Sequence, residues 1–150
     1  QFNAFRELVD RLEKKLAAAT DPEQKLRILV GNHLEYFLGR LDELIICSHE
    51  VHTLKGRAYE RVWEVRRRYY NIALGIVWEI QAGHEGPGLQ ASLATLNLFG
   101  MLNWIYMWFN PKKNRSHRLL AQEISDLFLR GIGGPGRALP GALPVDGAGV

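Results

Sequence analysis

The sequence predicts an all-α domain of about six helices, on three observations. Apolar residues recur every three to four positions along most of the chain, and no stretch alternates with the period of two that a half-buried strand shows. An uncharged segment, residues 89–110, is too long for a strand and contains no proline. With 150 residues, of which 47% are apolar and 23% charged, the chain can bury one sizeable core.

The first two helices are predicted from apolar spacing and a capping signal. Residues 2–19 keep the helical period on one face and carry charges on the other. Asp21 is a good N-cap for the second helix, Pro22 suits its first turn and Gln24 completes a capping box. We expect this second helix to end at Gly39.

Four more helices follow. The expected order is a short helix, a polar loop at residues 48–56, a long helix, a break at residues 83–88, and the uncharged segment as a fifth helix. Ser116 caps the last helix, and Gly131 stands where a helix-ending glycine is expected. The predicted ranges of the third, fourth and fifth helices are 41–47, 57–81 and 89–110.

The folded domain is expected to cover residues 1–132. Half of the positions from Gly131 onward are Gly or Pro, so residues 133–150 are predicted to form a flexible tail. The chain begins at Gln1 already inside a helical pattern, which favours a fragment whose N-terminal part is missing. The single cysteine, Cys47, excludes an internal disulfide and favours a reducing, cytoplasmic compartment.

The uncharged segment needs a cover on nearly every side, from the domain core, a second copy of the chain or lipid. Lipid is disfavoured because five polar side chains interrupt the segment, among them Asn97 and Asn103. Small residues such as Ala94 and Gly100 allow another helix to approach closely, and leucines occupy more than one face. We therefore favour a homodimer, and a central helix buried within a monomer is the alternative.

No catalytic constellation is present in the sequence. It lacks HExxH, paired CxxC, GxSxG and phosphate-loop motifs, so we expect neither enzyme activity nor a cofactor. His49 and His52 have the spacing of two metal ligands on one helix face, but a zinc site needs further converging ligands. We favour a solvated loop over a metal site there. The net charge of +3 is too small to indicate nucleic acid or a membrane surface as a partner.

Polar and aromatic residues on apolar helix faces indicate a ligand cavity between helices. His33 lies on the apolar face of the second helix, where a core histidine bonded to a backbone carbonyl is the alternative. Arg66 lies on the apolar stripe of the fourth helix and needs a carboxylate, a ligand anion or a route to solvent. Aromatic residues on the second and fourth helices, Tyr69 and Trp78 among them, are expected to cluster where these helices face each other. The candidate ligand-binding residues are His33, Tyr36, Phe37, Tyr59, Trp63, Arg66, Tyr70 and Asn103.

The run LFGMLNWIYMWFNP, residues 98–111, is followed by Ser116 and by LFLRGI at residues 127–132. This combination resembles the C-terminal domain of TetR-family (tetracycline-repressor-like) transcriptional regulators, and the resemblance covers about residues 1–132. It is similar to a subgroup with a Gly-x-x-Asn-Trp…Trp segment in the penultimate helix. Those positions are Gly100, Asn103, Trp104 and Trp108 in this sequence.

The resemblance implies the effector-binding and dimerisation domain of a bacterial repressor. A helix-turn-helix domain would precede Gln1, and operator DNA would be contacted only through it. Many relatives regulate fatty-acid catabolism in response to acyl-CoA, which makes a fatty acyl-CoA the expected kind of effector. Residues 89–109 and 116–130 of two subunits would pack as a four-helix bundle. The interface residues implied are Leu93, Leu96, Gly100, Trp104, Trp108, Ile124, Leu127 and Phe128.

Two alternatives stay open at this point. The functional alternative is a helical lipid- or small-molecule-binding protein, or an enzyme, that does not bind DNA. The second concerns the basic linker between Lys112 and Arg118, which contains no acidic residue. A solvated linker is the favoured interpretation, and binding of ligand phosphates at the mouth of the cavity is the other.

Overall fold

The computed structural model describes residues 1–49, 54–83, 89–110 and 116–132. Within these ranges every regular element is helical, which confirms the predicted all-α fold with six helices. A short 3-10 turn, Trp104–Met107, follows the fifth helix. The six helices are α1 (Phe2–Leu16), α2 (Pro22–Phe37), α3 (Leu41–His49), α4 (Gly56–Ala82), α5 (Ala91–Asn103) and α6 (His117–Ile132).

The predicted start of α2 is confirmed by its cap. The Asp21 carboxylate accepts a hydrogen bond of 2.7 Å from the Gln24 backbone N–H, and Pro22 is the first helical residue. Both α1 and α2 end before the predicted residues. In each case a tight turn closes the helix: the Ala19 N–H donates to the Leu16 carbonyl, and the Arg40 N–H donates to the Phe37 carbonyl.

The sequence predicts one continuous α-helix over the uncharged segment, and this prediction is wrong. The α-helix stops at Asn103 and tightens into the 3-10 turn, where the Trp108 N–H donates to the Ile105 carbonyl. A tighter turn changes the direction of the side chains that follow. As a result Ile105 is buried, whereas Trp104 and Trp108 are exposed.

Three smaller boundary predictions also change. Helix α3 continues through Ser48 and His49, which were expected to begin a loop, and α4 is one residue longer at each end than predicted. Helix α6 passes Gly131 because Ile132 packs into the core and extends the last turn. Several predicted segments fall outside the described residues. They are residues 50–53 of the polar loop, 84–88 of the break, 111–115 of the basic linker and the predicted tail, 133–150.

Helix α2 forms the centre of the domain and packs against α1, α4 and α6. Its residues Leu26, Leu29 and Leu34 are fully buried. The Asn32 side chain adds a polar link, because its Nδ2 donates to the Leu8 backbone carbonyl of α1 at 3.0 Å. No helix within the described ranges is both long and apolar enough to cross a bilayer.

Exposed ion pairs join the helices around this centre. Arg68 of α4 binds both carboxylate oxygens of Glu13 on α1, at 2.9 and 2.6 Å. The Arg27 guanidinium of α2 lies 2.6 Å from the Asp126 carboxylate of α6. Because these pairs are solvent-exposed, each is expected to stabilise the fold by at most about 1 kcal/mol. Burial of the apolar faces therefore supplies most of the stability.

Replacing Asp21 with Ala is expected to lower the free energy of unfolding by about 1 kcal/mol, because the Gln24 N–H loses its acceptor. Urea denaturation followed by circular dichroism measures the change. The control is Asp10→Ala, which removes an exposed carboxylate from the middle of α1. Equal stability of Asp21→Ala and the unmodified chain would contradict the capping role.

Candidate ligand-binding site

A cavity of about 420 Å³ lies among α1, α2, α3, α4 and α5. Its volume falls in the range of roughly 300–1,000 Å³ that is usual for small-molecule sites. The wall is mainly apolar and aromatic, with a few polar groups contributed by α2, α3, α4 and α5. Six of the predicted ligand-binding residues line it, namely His33, Phe37, Trp63, Arg66, Tyr70 and Asn103.

The two other predicted residues, Tyr36 and Tyr59, do not line the cavity. Tyr36 follows His33 by three positions but is adjacent to Phe37, and neighbouring helical residues point about 100° apart. Its hydroxyl instead faces the carboxylates of Glu7 and Glu43, at 3.2 and 3.4 Å. Burial, together with these two carboxylates, raises the pKa of Tyr36 to about 12.

Tyr59 lies on the outer surface of α4. Its ring is parallel to that of Trp63, with ring centroids 6.1 Å apart and an interplanar angle of 8°. Trp63 reaches the cavity wall, whereas Tyr59 sits one turn further from it. The apolar stripe of a long helix therefore includes residues beyond the cavity, and spacing alone did not separate the two.

The sequence interpretation did not select Phe99 or the apolar residues that α1 and α3 contribute. Phe99 of α5 lies 5.3 Å from the Tyr69 ring and 6.4 Å from the Tyr70 ring, measured between centroids. Phe5 of α1 and Leu44 of α3 close other parts of the wall. The sequence does not show which residue of α5 faces the cavity, because this helix is apolar on nearly every face. The only signal that pointed to this region was the aromatic cluster that includes Tyr69.

His33 is the most buried polar group at the cavity, with 2% of its surface exposed. Its Nδ1 lies 3.1 Å from the Tyr69 hydroxyl, so its partner is a side chain and not the backbone carbonyl considered above. Burial lowers the pKa of His33 to about 3, which keeps the imidazole neutral at physiological pH. Within the described ranges, Nε2 of His33 has no hydrogen-bond partner.

Arg66 is half-buried and lacks an acidic partner in the described part of the chain. Its guanidinium donates to the Cys47 backbone carbonyl and lies over the Phe5 ring, 5.0 Å from the centroid. Burial lowers the pKa of Arg66, but a guanidinium starts so high that it keeps its charge. Arg67 adds a second cation to the same wall.

His49, the first histidine of the candidate metal pair, contacts the Tyr106 hydroxyl. His52 lies outside the described residues. Among the residues that are described, no group of three or more potential ligands converges on a metal site. The contact of His49 links the end of α3 to the 3-10 turn after α5.

The residues implied for a dimer interface fall into two groups. Ile124 and Phe128 share one face of α6 and are buried in the core of this chain, whereas Leu127 is turned away from them and is 66% exposed. Leu96 is exposed and also lines the cavity. The implied interface residues that are exposed are Leu93, Leu96, Gly100, Trp104, Trp108 and Leu127.

The buried neutral state of His33 predicts a pH dependence. Below pH 6.5 the unfolded chain protonates His33, but the folded chain does so only near pH 3, so stability falls as the pH decreases between these values. Between pH 7 and pH 5 this group alone should remove about 2 kcal/mol from the free energy of unfolding. His33→Gln should lose that component in urea titrations at the two pH values.

The matched control is His117→Gln, which replaces an exposed imidazole at the start of α6. This variant shows whether loss of a surface histidine also changes the dependence of stability on pH. An unchanged difference in His33→Gln would mean that the histidine is protonated inside the folded protein.

Comparison with known sequences gives two matches. Residues 19–132 match the family model described as "Tetracyclin repressor-like, C-terminal domain". The chain is also 23% identical over 128 residues to the fatty acid metabolism regulator protein of Bacillus subtilis (strain 168). That alignment covers 84% of this chain and 66% of the relative, so the chain spans just under two thirds of the relative's length.

Solved structures share the fold. The fatty acid degradation regulator FadR from Bacillus halodurans superposes with a TM-score of 0.68 at 23% identity, covering 87% of this chain and 72% of FadR. The structure of AibR in complex with isovaleryl coenzyme A and operator DNA gives 0.66 at 21% identity, covering 89% of this chain and 73% of AibR. The family match over residues 19–132 and this shared fold show that the chain belongs to the tetracyclin repressor-like C-terminal domain family of transcriptional regulators.

Proposed function

We propose that this chain is the effector-sensing and dimerisation domain of a transcriptional repressor, and that its effector is an apolar acyl compound such as a fatty acyl-CoA. The observation that carries the proposal is the composition of the cavity wall. Apolar and aromatic side chains form most of it, while Arg66 and Arg67 bring positive charge without an acidic partner among the described residues. Such a wall suits a ligand with an apolar chain and an anionic portion.

The relatives support the acyl-CoA part of the proposal. One is named as a regulator of fatty acid metabolism, another as a regulator of fatty acid degradation, and AibR was solved with isovaleryl coenzyme A. Identities of 21–23% do not transfer a ligand to this chain by themselves. The composition of the cavity wall supports the same kind of ligand independently, because it is a property of this chain's own residues.

The proposal places a helix-turn-helix domain before Gln1 and routes all contact with operator DNA through it. Helix α1 is the element that would join the two domains. Its residue Phe5 lines the cavity, under the Arg66 guanidinium. A ligand that enters the cavity would contact Phe5 and could thereby shift the position of α1. Regulation then requires only that the effector bind the two positions with different affinity.

A second part of the proposal is the homodimer. In the described ranges, eight of the large apolar side chains that remain exposed lie between Leu89 and Leu127, on or directly beside α5, the 3-10 turn and α6. Exposed apolar surface concentrated on neighbouring parts of the chain favours association with another protein surface. A second copy related by a two-fold axis would place this same surface on both sides of the interface.

The effector is tested with the full-length regulator and operator DNA selected from random fragments. Saturating dodecanoyl-CoA is expected to change operator affinity by about 5- to 150-fold in gel shifts, as is usual for coupled sites. Arg66→Gln should weaken the response because it removes the charge at the cavity wall. Arg57→Gln, on an exposed position of the same helix outside the cavity, is the matched control. No change in operator affinity with any acyl-CoA would overturn the proposed effector.

The dimer is tested with the chain itself. Leu93→Glu combined with Leu127→Glu should convert a dimer to a monomer in sedimentation velocity, because four charges would enter the interface without partners. Ile45→Glu, an exposed apolar position on α3, should leave the dimer intact. A monomeric unmodified chain at micromolar concentration would contradict the proposed assembly.

A further inference from the structure

We propose that the His33–Tyr69 pair is a polar recognition site inside the cavity, which donates a hydrogen bond from His33 Nε2 to an oxygen acceptor on the acyl chain of the effector. The inference rests on the proposed function, because it names the kind of acyl ligand that the cavity selects. Its starting point is that His33 lines the cavity while its Nε2 is buried and has no partner in the described chain, so that a ligand oxygen reaches it once a neighbouring wall side chain shifts.

An unpartnered nitrogen in this position is costly. His33 is 2% exposed, and the rings of Phe37 and Tyr69 lie beside it, with centroids 4.8 and 6.1 Å away. A buried polar group that has given up water and found no partner destabilises the protein. Buried polar groups of this kind call for an explanation, and a ligand that completes the hydrogen bond is one that fits a cavity wall.

The contact with Tyr69 determines which nitrogen carries the proton. The Tyr69 side chain is buried, and the only hydrogen-bond partner of its hydroxyl among the described residues is Nδ1 of His33, at 3.1 Å. If the hydroxyl donates, its proton is satisfied and the neutral imidazole carries its own proton on Nε2. The opposite arrangement would leave both the tyrosine proton and Nε2 without partners. His33 Nε2 is therefore a hydrogen-bond donor toward the ligand.

A neutral donor in an apolar cavity selects a carbonyl or hydroxyl oxygen. Two parts of an acyl-CoA can supply it: the thioester carbonyl, which every acyl-CoA has, or an oxygen further along the chain, such as a 3-hydroxyl group. In either case a ligand without that oxygen leaves Nε2 unpaired in the complex. Sites built to bond a polar group discriminate strongly against analogues that lack it.

The test measures binding of three probes to the 150-residue chain by isothermal titration calorimetry. The probes are dodecanoyl-CoA, its thioether analogue S-dodecyl-CoA, and 3-hydroxydodecanoyl-CoA. Recognition of the thioester carbonyl predicts that dodecanoyl-CoA binds at least about tenfold tighter than the thioether. Recognition of a chain oxygen predicts the same advantage of the 3-hydroxy compound over dodecanoyl-CoA.

Two variants identify the donor. His33→Leu should abolish the preference because it removes the donor, whereas His33→Gln, which keeps an N–H donor near the Nε2 position, should recover part of it. Thermal melts establish that both variants fold. Equal affinity of the unmodified chain for all three probes, or a preference that survives in His33→Leu, would overturn the inference.

A measurement without ligand separates this inference from the proposed function. Nitrogen-15 NMR of the imidazole in the free protein should show the proton on Nε2, and Tyr69→Phe should remove this restriction. A proton on Nδ1 in the free protein would overturn the inference even if acyl-CoA binds. Failure of all three probes to bind, with the Nε2 proton present, would instead overturn the acyl-CoA proposal on which the inference rests.

Discussion

The structure depends on the burial of α2 on nearly every side. Between Leu26 and Phe37 only Arg27 and Glu35 are exposed, and both are held by ion pairs with neighbouring helices. A helix with so little free surface requires other helices all around it. The arrangement of α1, α4 and α6 follows from this requirement. Near the C-terminal end of α2 the surrounding helices do not close completely, and the cavity lies there, against His33 and Phe37.

Much of the fold could be predicted because its signals are local. The cap at Asp21 depends on residues three positions apart, and it predicts the start of α2 correctly. The end of α5 was not predictable in this way. No charge, glycine or proline marks the change at Asn103, and the 3-10 turn accompanies the burial of Ile105, which depends on tertiary packing.

The site was only partly predictable, for a related reason. A histidine and an arginine on apolar stripes are rare enough to be noticed, and both His33 and Arg66 line the cavity. Aromatic residues are common in cores, so Tyr36 was included although its hydroxyl turns toward Glu7 and Glu43. Nothing in the sequence distinguishes Phe99 from its neighbours, because its helix is apolar on nearly every face. Which apolar residue faces a cavity depends on the relative rotation of helices, and that is a property of tertiary packing.

The same limit applies to the face of α6. Leu127 and Phe128 are adjacent and both apolar, and the family resemblance implied both as interface residues. The structure buries Phe128 in the core and leaves Leu127 on the surface. Periodicity identifies apolar positions on a helix, but a domain core and a subunit interface both require apolar side chains. Only the placement of the neighbouring helices tells the two apart.

Leu96 belongs to two surfaces at once, since it lines the cavity and is also 55% exposed on the side of α5 proposed to meet a second copy. In such a dimer each ligand would rest against a side chain that the other subunit touches. Occupancy of one cavity would then alter the affinity of the other, and the response to effector concentration would depart from a simple hyperbola. Positive coupling of this kind would narrow the range of effector concentration over which such a dimer responds, and negative coupling would broaden it.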